Sequence, residues 1–209
     1  LFSLRDLDYT AEELREGASS LKELRAYGYA PENVRSLGYS AAEMKGAGWG
    51  VNELRKANFR PQELRDAGVS FAQLLSAGYS ASKLKSIGAT CSDLRDAGLS
   101  VVELKQLGFP LERLRASGCS IEALRECGYG AAALKAVGCS VKDLRAVGFT
   151  ASELREAGFG AKDMKTANFN LRDLKAAGYT FKDLRLADFV VAQLKATGCS
   201  AKDLRSGGF

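Results

Sequence analysis

Apolar and polar residues recur along this chain with a period of ten, and the register never shifts. The last digit of a residue number therefore names its position in the repeat. Position 4 is Leu except at Val34, Met44 and Met164, and position 9 is mostly Phe, Tyr or Trp49. Positions 1 and 7 are mostly apolar, so positions 1, 4 and 7 form one inward stripe at helical spacing. Position 5 is Lys or Arg except at Leu75, and position 3 is mostly Glu or Asp. Positions 2 and 6 vary freely.

The punctuation predicts where each helix starts and stops. In Ser140-Val141-Lys142-Asp143 the hydroxyl and the acid three residues later form a capping box. The same pairing is expected at Thr10/Glu13, Ser20/Glu23, Ser40/Glu43, Thr90/Asp93, Ser100/Glu103, Thr150/Glu153, Thr180/Asp183 and Ser200/Asp203. Pro31 and Pro61 fall on position 1, where the missing N–H costs least. Position 8 is nearly always Gly, with Asp8, Ala18, Asn58, Asn168 and Asp188 as exceptions. It is the place for a left-handed helix ending, which Gly and next Asn adopt most readily. The aromatic at position 9 then serves two helices, closing a Schellman ending behind it and a hydrophobic staple ahead of it. Each repeat reads as a helix of about seven residues followed by a reversal of two or three. Repeats with broken punctuation should be weak: Gly17-Ala18-Ser19, and those entered at Ala30, Arg60, Pro110 and Val190 without a capping hydroxyl.

A two-turn helix is not stable alone in water, so neighbours must supply its stability. The expected fold is all-α: an α-solenoid, or superhelix, of about 20 ten-residue repeats, each a single short helix. No linker interrupts the pattern, so residues 1–209 read as one continuous repeat domain. It begins at Leu1 with the pattern under way, as a fragment, a processed chain or an ordered part would. This decapeptide array of ELRxAGFS type resembles the α-solenoid class of the tetratricopeptide and HEAT families, with one short helix replacing their helix pair. It also resembles repeat arrays of microbial eukaryotes, a likeness that implies no function. A pentapeptide β-solenoid is the rival, since Leu and an aromatic alternate every five residues. It would bury Glu12, Lys22, Glu32, Gln62, Glu112, Glu122, Lys142 and Lys182, which burial of unpaired polar groups forbids.

Composition narrows the function. There is no His in the 209 residues, which removes the commonest general base and metal ligand. No insertion singles out a catalytic group, and no phosphate-binding Gly loop is present. The chain is expected not to be an enzyme, and no catalytic, cofactor-binding or metal-ligating residue is assigned. The five Cys stand where other repeats carry apolar residues and include no Cys-x-x-Cys pair. Buried reduced thiols, and with them an intracellular, reducing compartment, are expected. No apolar run is long enough to span a membrane.

The charge is uneven. The net charge is +5, and residues 131–209 hold all of it, with 13 basic and 8 acidic side chains. The excess comes largely from Lys142, Lys162, Arg172, Lys182 and Lys202, all at position 2. A base there sits beside the positive end of the helix dipole, which is locally unfavourable. These five form the candidate partner or polyanion face. The favoured function is a non-catalytic protein-interaction scaffold, a subunit or linker in a larger assembly. Its partner would be another protein, or another copy meeting the uncapped ends at Phe2-Ser3-Leu4 and Gly208-Phe209. Nucleic-acid or polyanion binding through the basic face is the alternative. The position-5 bases read as a solvated ladder, with stems over apolar surface, heads near helix C-termini and charges paired with neighbouring repeats.

Overall fold

The period of ten is set at the helix ends. The computed structural model of the protein describes residue 13 and residues 20–208. In a typical repeat the helix covers positions 1 to 6, as at Val141–Ala146, and position 7 is its C-cap. The helix is one residue shorter than the sequence suggests. The Val147 N–H still donates to the Asp143 carbonyl at 3.2 Å, but its ψ has moved to 10°, which begins the reversal. Gly148 completes it at φ 87°, a region closed to most side chains. Its N–H donates to the Arg145 carbonyl at 2.9 Å, and the Phe149 N–H to the Leu144 carbonyl at 3.0 Å. These two bonds are the Schellman pattern. Asn58 and Asn168 take the same turn at φ 60°, and Asp188 at φ 58°.

The start of each helix also follows the expected chemistry. Ser140 Oγ accepts from the Asp143 N–H at 3.2 Å, and Asp143 Oδ2 accepts from the Ser140 N–H at 3.1 Å. The expected boxes from Ser20/Glu23 to Ser200/Asp203 all close. The Thr10/Glu13 pairing and the Gly17-Ala18-Ser19 break lie outside the described residues. Two of the four repeats without a hydroxyl keep half a box. Glu63 accepts from the Arg60 N–H at 2.6 Å and Gln193 from the Val190 N–H at 3.1 Å. Ala30 and Pro110 have no side-chain hydrogen bond of either kind, as is also true of the Gly130 cap.

The helices fall in two compact units, Leu1–Gly108 and Phe109–Phe209. The first contains α1 (Leu21–Ala26), α2 (Pro31–Ser36), α3 (Ala41–Gly46), α4 (Val51–Lys56), α5 (Pro61–Asp66), α6 (Phe71–Ser76), α7 (Ala81–Ser86), α8 (Cys91–Asp96) and α9 (Val101–Gln106). The second contains α10 (Leu111–Ala116), α11 (Ile121–Glu126), α12 (Ala131–Ala136), α13 (Val141–Ala146), α14 (Ala151–Glu156), α15 (Ala161–Thr166), α16 (Leu171–Ala176), α17 (Phe181–Leu186), α18 (Val191–Lys195) and α19 (Ala201–Ser206). Among the described residues there is no strand, and no helix is long and apolar enough to cross a membrane. The fold is an all-α array of short helices at ten-residue spacing.

Within each unit a helix packs on the next but one, and in the first unit helices also pack on the next. In the first unit α6 meets both α7 and α8; in the second, α13 meets α15, α15 meets α17, and α17 meets α19. Within each unit odd and even helices therefore make two rows, and the packing unit is a helix pair of twenty residues. The position-4 side chains lie between the rows: Leu54, Leu74, Leu104, Leu134 and Leu174 are completely buried. Each contributes roughly 1.5–3 kcal/mol by leaving water. Position 9 is buried or half-buried at every described repeat, and positions 0, 2, 6 and 8 are exposed at every one.

Candidate functional site

Positive charge is arrayed at two positions of the repeat, at position 5 along the chain and at position 2 within residues 142–202. They behave differently. Position 5 lies at the C-terminal end of its helix with its side chain exposed or half-exposed, long enough to reach along its row. It reaches the helix two repeats on. Arg35 Nη1 donates to the Ala57 carbonyl at 2.7 Å, Arg55 Nη1 to the Ala77 carbonyl at 2.7 Å, and Lys165 Nζ to the Ala187 and Asp188 carbonyls at 3.0 and 2.7 Å. Arg125 and Arg145 make the same bond, to Val147 and Ala167. The acceptors are C-terminal carbonyls with no partner inside their own helix, at the negative end of its dipole.

The same cations lie over the aromatic that follows the turn. Arg35 stands 4.3 Å from the Phe59 ring centre, Lys135 4.5 Å from Phe159, Lys165 4.7 Å from Phe189, and Arg125 4.9 Å from Phe149. Where position 9 two repeats on is not aromatic, the outcome varies: Lys45, facing Val69, keeps its bonds to the Ala67 and Gly68 carbonyls at 2.8 and 3.0 Å, whereas two other bases adapt. Arg65, facing Ala89, turns back to the Val69 carbonyl at 2.7 Å and onto the Phe71 ring at 4.1 Å. Lys175, facing Cys199, donates to its sulfur at 3.1 Å and lies 5.4 Å from Phe181. The position-5 ladder is thus a set of caps between repeats. Carboxylates are secondary partners, as at Arg25–Glu53 (3.8 Å) and Arg35–Glu63 (3.5 Å), because most position-3 acids hold their own helix N-terminus.

Hydrogen bonding at those N-termini depresses carboxylate pKa values. The Thr180 hydroxyl, and then its N–H, holds the Asp183 carboxyl below the usual range; Ser140 does so for Asp143 and Ser200 for Asp203. In Glu153 the Thr150 N–H leads and the hydroxyl adds to it. Burial raises the Tyr79 and Tyr179 phenols, which donate to the Phe59 and Phe159 carbonyls at 2.5 Å. These shifts belong to caps and stacked rows.

Position 2 is where the candidate face lies. Lys142, Lys162, Arg172, Lys182 and Lys202 are all exposed. The structure brings four of them together and sets one apart. Lys142, Lys162, Lys182 and Lys202 stand at the same position of α13, α15, α17 and α19, successive helices of one row. Arg172 stands on α16, in the other row with α14. The neighbouring acids Asp143, Asp163, Asp183 and Asp203 each accept from a cap N–H, at 2.9–3.2 Å. One turn further on, the same face shows Ala146, Thr166, Leu186 and Ser206, none of them charged. A shallow open cleft between α13 and α15 is lined by Lys142, Arg145, Ala146, Thr166, Ala167 and Asn168.

No group of His, Cys, Asp and Glu among the described residues is placed to hold a metal ion. The five cysteines are free; Cys91, Cys119 and Cys139 are buried and Cys127 and Cys199 half-buried. The position-5 caps escape a ten-residue reading because donor and acceptor stand 22 residues apart. The sequence holds only a partial signal, since position 9 is non-aromatic both one and two repeats after Leu75, at Ala89 and Leu99. Leu75, the apolar exception at position 5, is matched 24 residues on by Leu99, an apolar residue in the aromatic position, and both line one cleft.

A family model described as a decapeptide repeat region matches residues 2–71, 49–121 and 118–191. No curated protein matches the chain, and no solved structure matches it.

Proposed function

The chain belongs to the decapeptide repeat family, and from that premise we propose that it is a non-catalytic scaffold that binds other proteins through positions 2 and 6. The observation that carries this reading is the exposure of both positions at every described repeat, in a sequence where they alone vary freely. The periodic residues have structural work: position 4 fills the core, positions 0, 3 and 8 form the caps, and most position-5 bases join one helix to another. What remains variable is a set of exposed side chains repeated at ten-residue spacing along the array. That is how repeat proteins write partner specificity. The lack of His and the apolar composition of the interior fit a non-catalytic role.

Crosslinking mass spectrometry of the full chain in extract of its source cells tests this. Partner crosslinks should concentrate at positions 2 and 6. A variant with Lys142, Lys162, Thr166, Lys182, Leu186 and Lys202 changed to Ala should lose those made in the second unit while its circular dichroism is unchanged. Partner capture unaltered by that variant, and by its counterparts elsewhere in the array, would refute the reading.

The excess of positive charge in residues 131–209 favours a second reading, binding of nucleic acid. The aromatics at position 9 are buried or half-buried and engaged by cations, so base stacking has little to rest on. Such binding would be backbone-directed and would fall steeply with salt. Submicromolar affinity for DNA or RNA at about 0.15 M salt, where the screening length is roughly 8 Å, would establish it over the scaffold reading.

A further inference from the structure

The lysines of α13, α15, α17 and α19 follow one another along a single row, and no ammonium group among them has an ion-pair partner among the described residues. We infer that this row of lysines docks an extended acidic peptide carrying a carboxylate at every third residue. The inference rests on the scaffold reading and specifies the chemistry of one partner.

The argument is one of spacing. Helices stacked in a row lie about 8–10 Å apart, so the four lysines rise by about that step. A polyproline II chain has three residues per turn and rises about 3.1 Å per residue, which places every third side chain on one face roughly 9 Å apart. Acids at residues i, i+3, i+6 and i+9 of such a segment meet the four lysines in register. Screening makes register matter. At about 0.15 M salt charges are felt over roughly 8 Å, so each carboxylate interacts with the lysine opposite and little with the next.

The same geometry disfavours nucleic acid. Each lysine is followed directly by an aspartate, and Asp143, Asp163, Asp183 and Asp203 interrupt the positive row at every step. A duplex strand carries a phosphate about every 3.4 Å, so its charges face aspartates as well as lysines. A peptide with neutral residues between its acids avoids that repulsion. Leu186, 64% exposed and one turn beyond Lys182, also gives a peptide an apolar contact that a phosphate backbone would not use.

The test uses the full chain and fluorescein-labelled peptides at 0.15 M salt, read by anisotropy. One probe is (Glu-Pro-Pro)4; its control has the same composition with its four Glu adjacent. The spaced peptide should bind about tenfold more tightly than the control. Changing Lys142, Lys162, Lys182 and Lys202 to Ala should abolish the difference, and Arg172→Ala should leave it intact. Circular dichroism should be unchanged, since removing a base from the first turn relieves an unfavourable dipole contact. Equal affinity for the two peptides, no binding of either, equal losses in Arg172→Ala and Lys182→Ala, or tighter binding of a 20-base-pair duplex would overturn the inference. Partner crosslinks persisting at positions 2 and 6 of other helices would then show that the scaffold reading survives.

Discussion

Changing Gly148 to Ala should destabilise the protein about twice as much as the same change at Gly138, although both take φ above 80°. The difference isolates the cap made by a distant arginine. Forcing an L-residue into the left-handed region costs roughly 1–2 kcal/mol, partly offset by about 0.4–1 kcal/mol because Ala has less freedom than Gly when unfolded. At Gly138 that is the whole effect, about 1 kcal/mol, because a Cβ there would meet nothing within 4 Å. At Gly148 a Cβ would stand 3.0 Å from Arg125 Nη1, which lies between the Val147 carbonyl and the Phe149 ring. The arginine can swing away, but it then loses an exposed hydrogen bond and a cation–π contact. Together these are worth about 1 kcal/mol after discounting for solvent. Thermal unfolding should show Tm lower by about 2–4 °C for Gly138→Ala and about 4–8 °C for Gly148→Ala. The double variant Arg125→Ala with Gly148→Ala should be less destabilised than the sum of its parts. Equal losses at the two glycines, or strict additivity in the cycle, would refute the claim that position 5 caps a helix two repeats away. Ala146→Val, on an exposed helical position, should cost about 0.5 kcal/mol; a loss matching that of Gly148→Val would show the helix end to be misplaced.

Other expectations follow from the same geometry. Ser140→Ala should lower stability by about 1 kcal/mol in denaturant titration, whereas Ser76→Ala, at an exposed position 6, should be neutral. The capping carboxylates have lowered folded pKa values, so their stabilisation is complete above the ordinary carboxylate value of about 4 and is lost as pH falls below it through the folded values. Tm should therefore drop below about pH 4, and changing Asp143, Asp183 and Asp203 to Asn should lower Tm at neutral pH while flattening that acid limb; an unchanged slope would count against the caps. Tyr179→Phe should cost about 1 kcal/mol, because its hydroxyl bonds the Phe159 carbonyl in a buried setting, and a neutral result would remove that link between repeats. Amide exchange in the first unit should be faster at the start of α2 than of α3, since Ala30 lacks both halves of the cap that Ser40 and Glu43 make.

Much of this architecture was legible because local chemistry fixes it. A hydroxyl at position 0, an acid at position 3, Gly at position 8 and Leu at position 4 each specify one backbone event, and each event lies within six residues of its cause. Hence the caps at Ser140 and Thr180 and the left-handed turns at Asn58 and Asn168 appear as expected. What could not be read locally was which helix stacks on which. Ten-residue periodicity is equally consistent with two, three or more repeats per turn, since a shift of one repeat presents nearly the same side chains. For that reason the four candidate lysines and Arg172 read as five equivalent positions in the sequence, although Arg172 stands in the other row.

The exceptions to the repeat carry the missing information. In a perfect array position 5 could face any later position 9, because every repeat offers the same base and the same ring. Leu75 breaks the symmetry. Position 9 is apolar and non-aromatic both one repeat on, at Ala89, and two repeats on, at Leu99, and it is Leu99 that lines a cleft with Leu75. Arg65 and Lys175 carry the same distance from the other side: each lacks an aromatic at 24 residues, and each lays its charge over a Phe six residues on. A base over a ring is therefore a preference of the cation. Given no ring two repeats on, Arg65 caps its own turn at Val69. It follows that position 9 should not be altered without regard to position 5 two repeats earlier. Phe149→Ala removes a core ring and also uncovers Arg125, so its cost should exceed that of truncating a position-9 side chain with no cation above it. The coupling is directional along the row. Loss of one ring loosens the helix before it as well as its own, and the stacked pair, not the decapeptide, is the unit in which this array gains or loses stability.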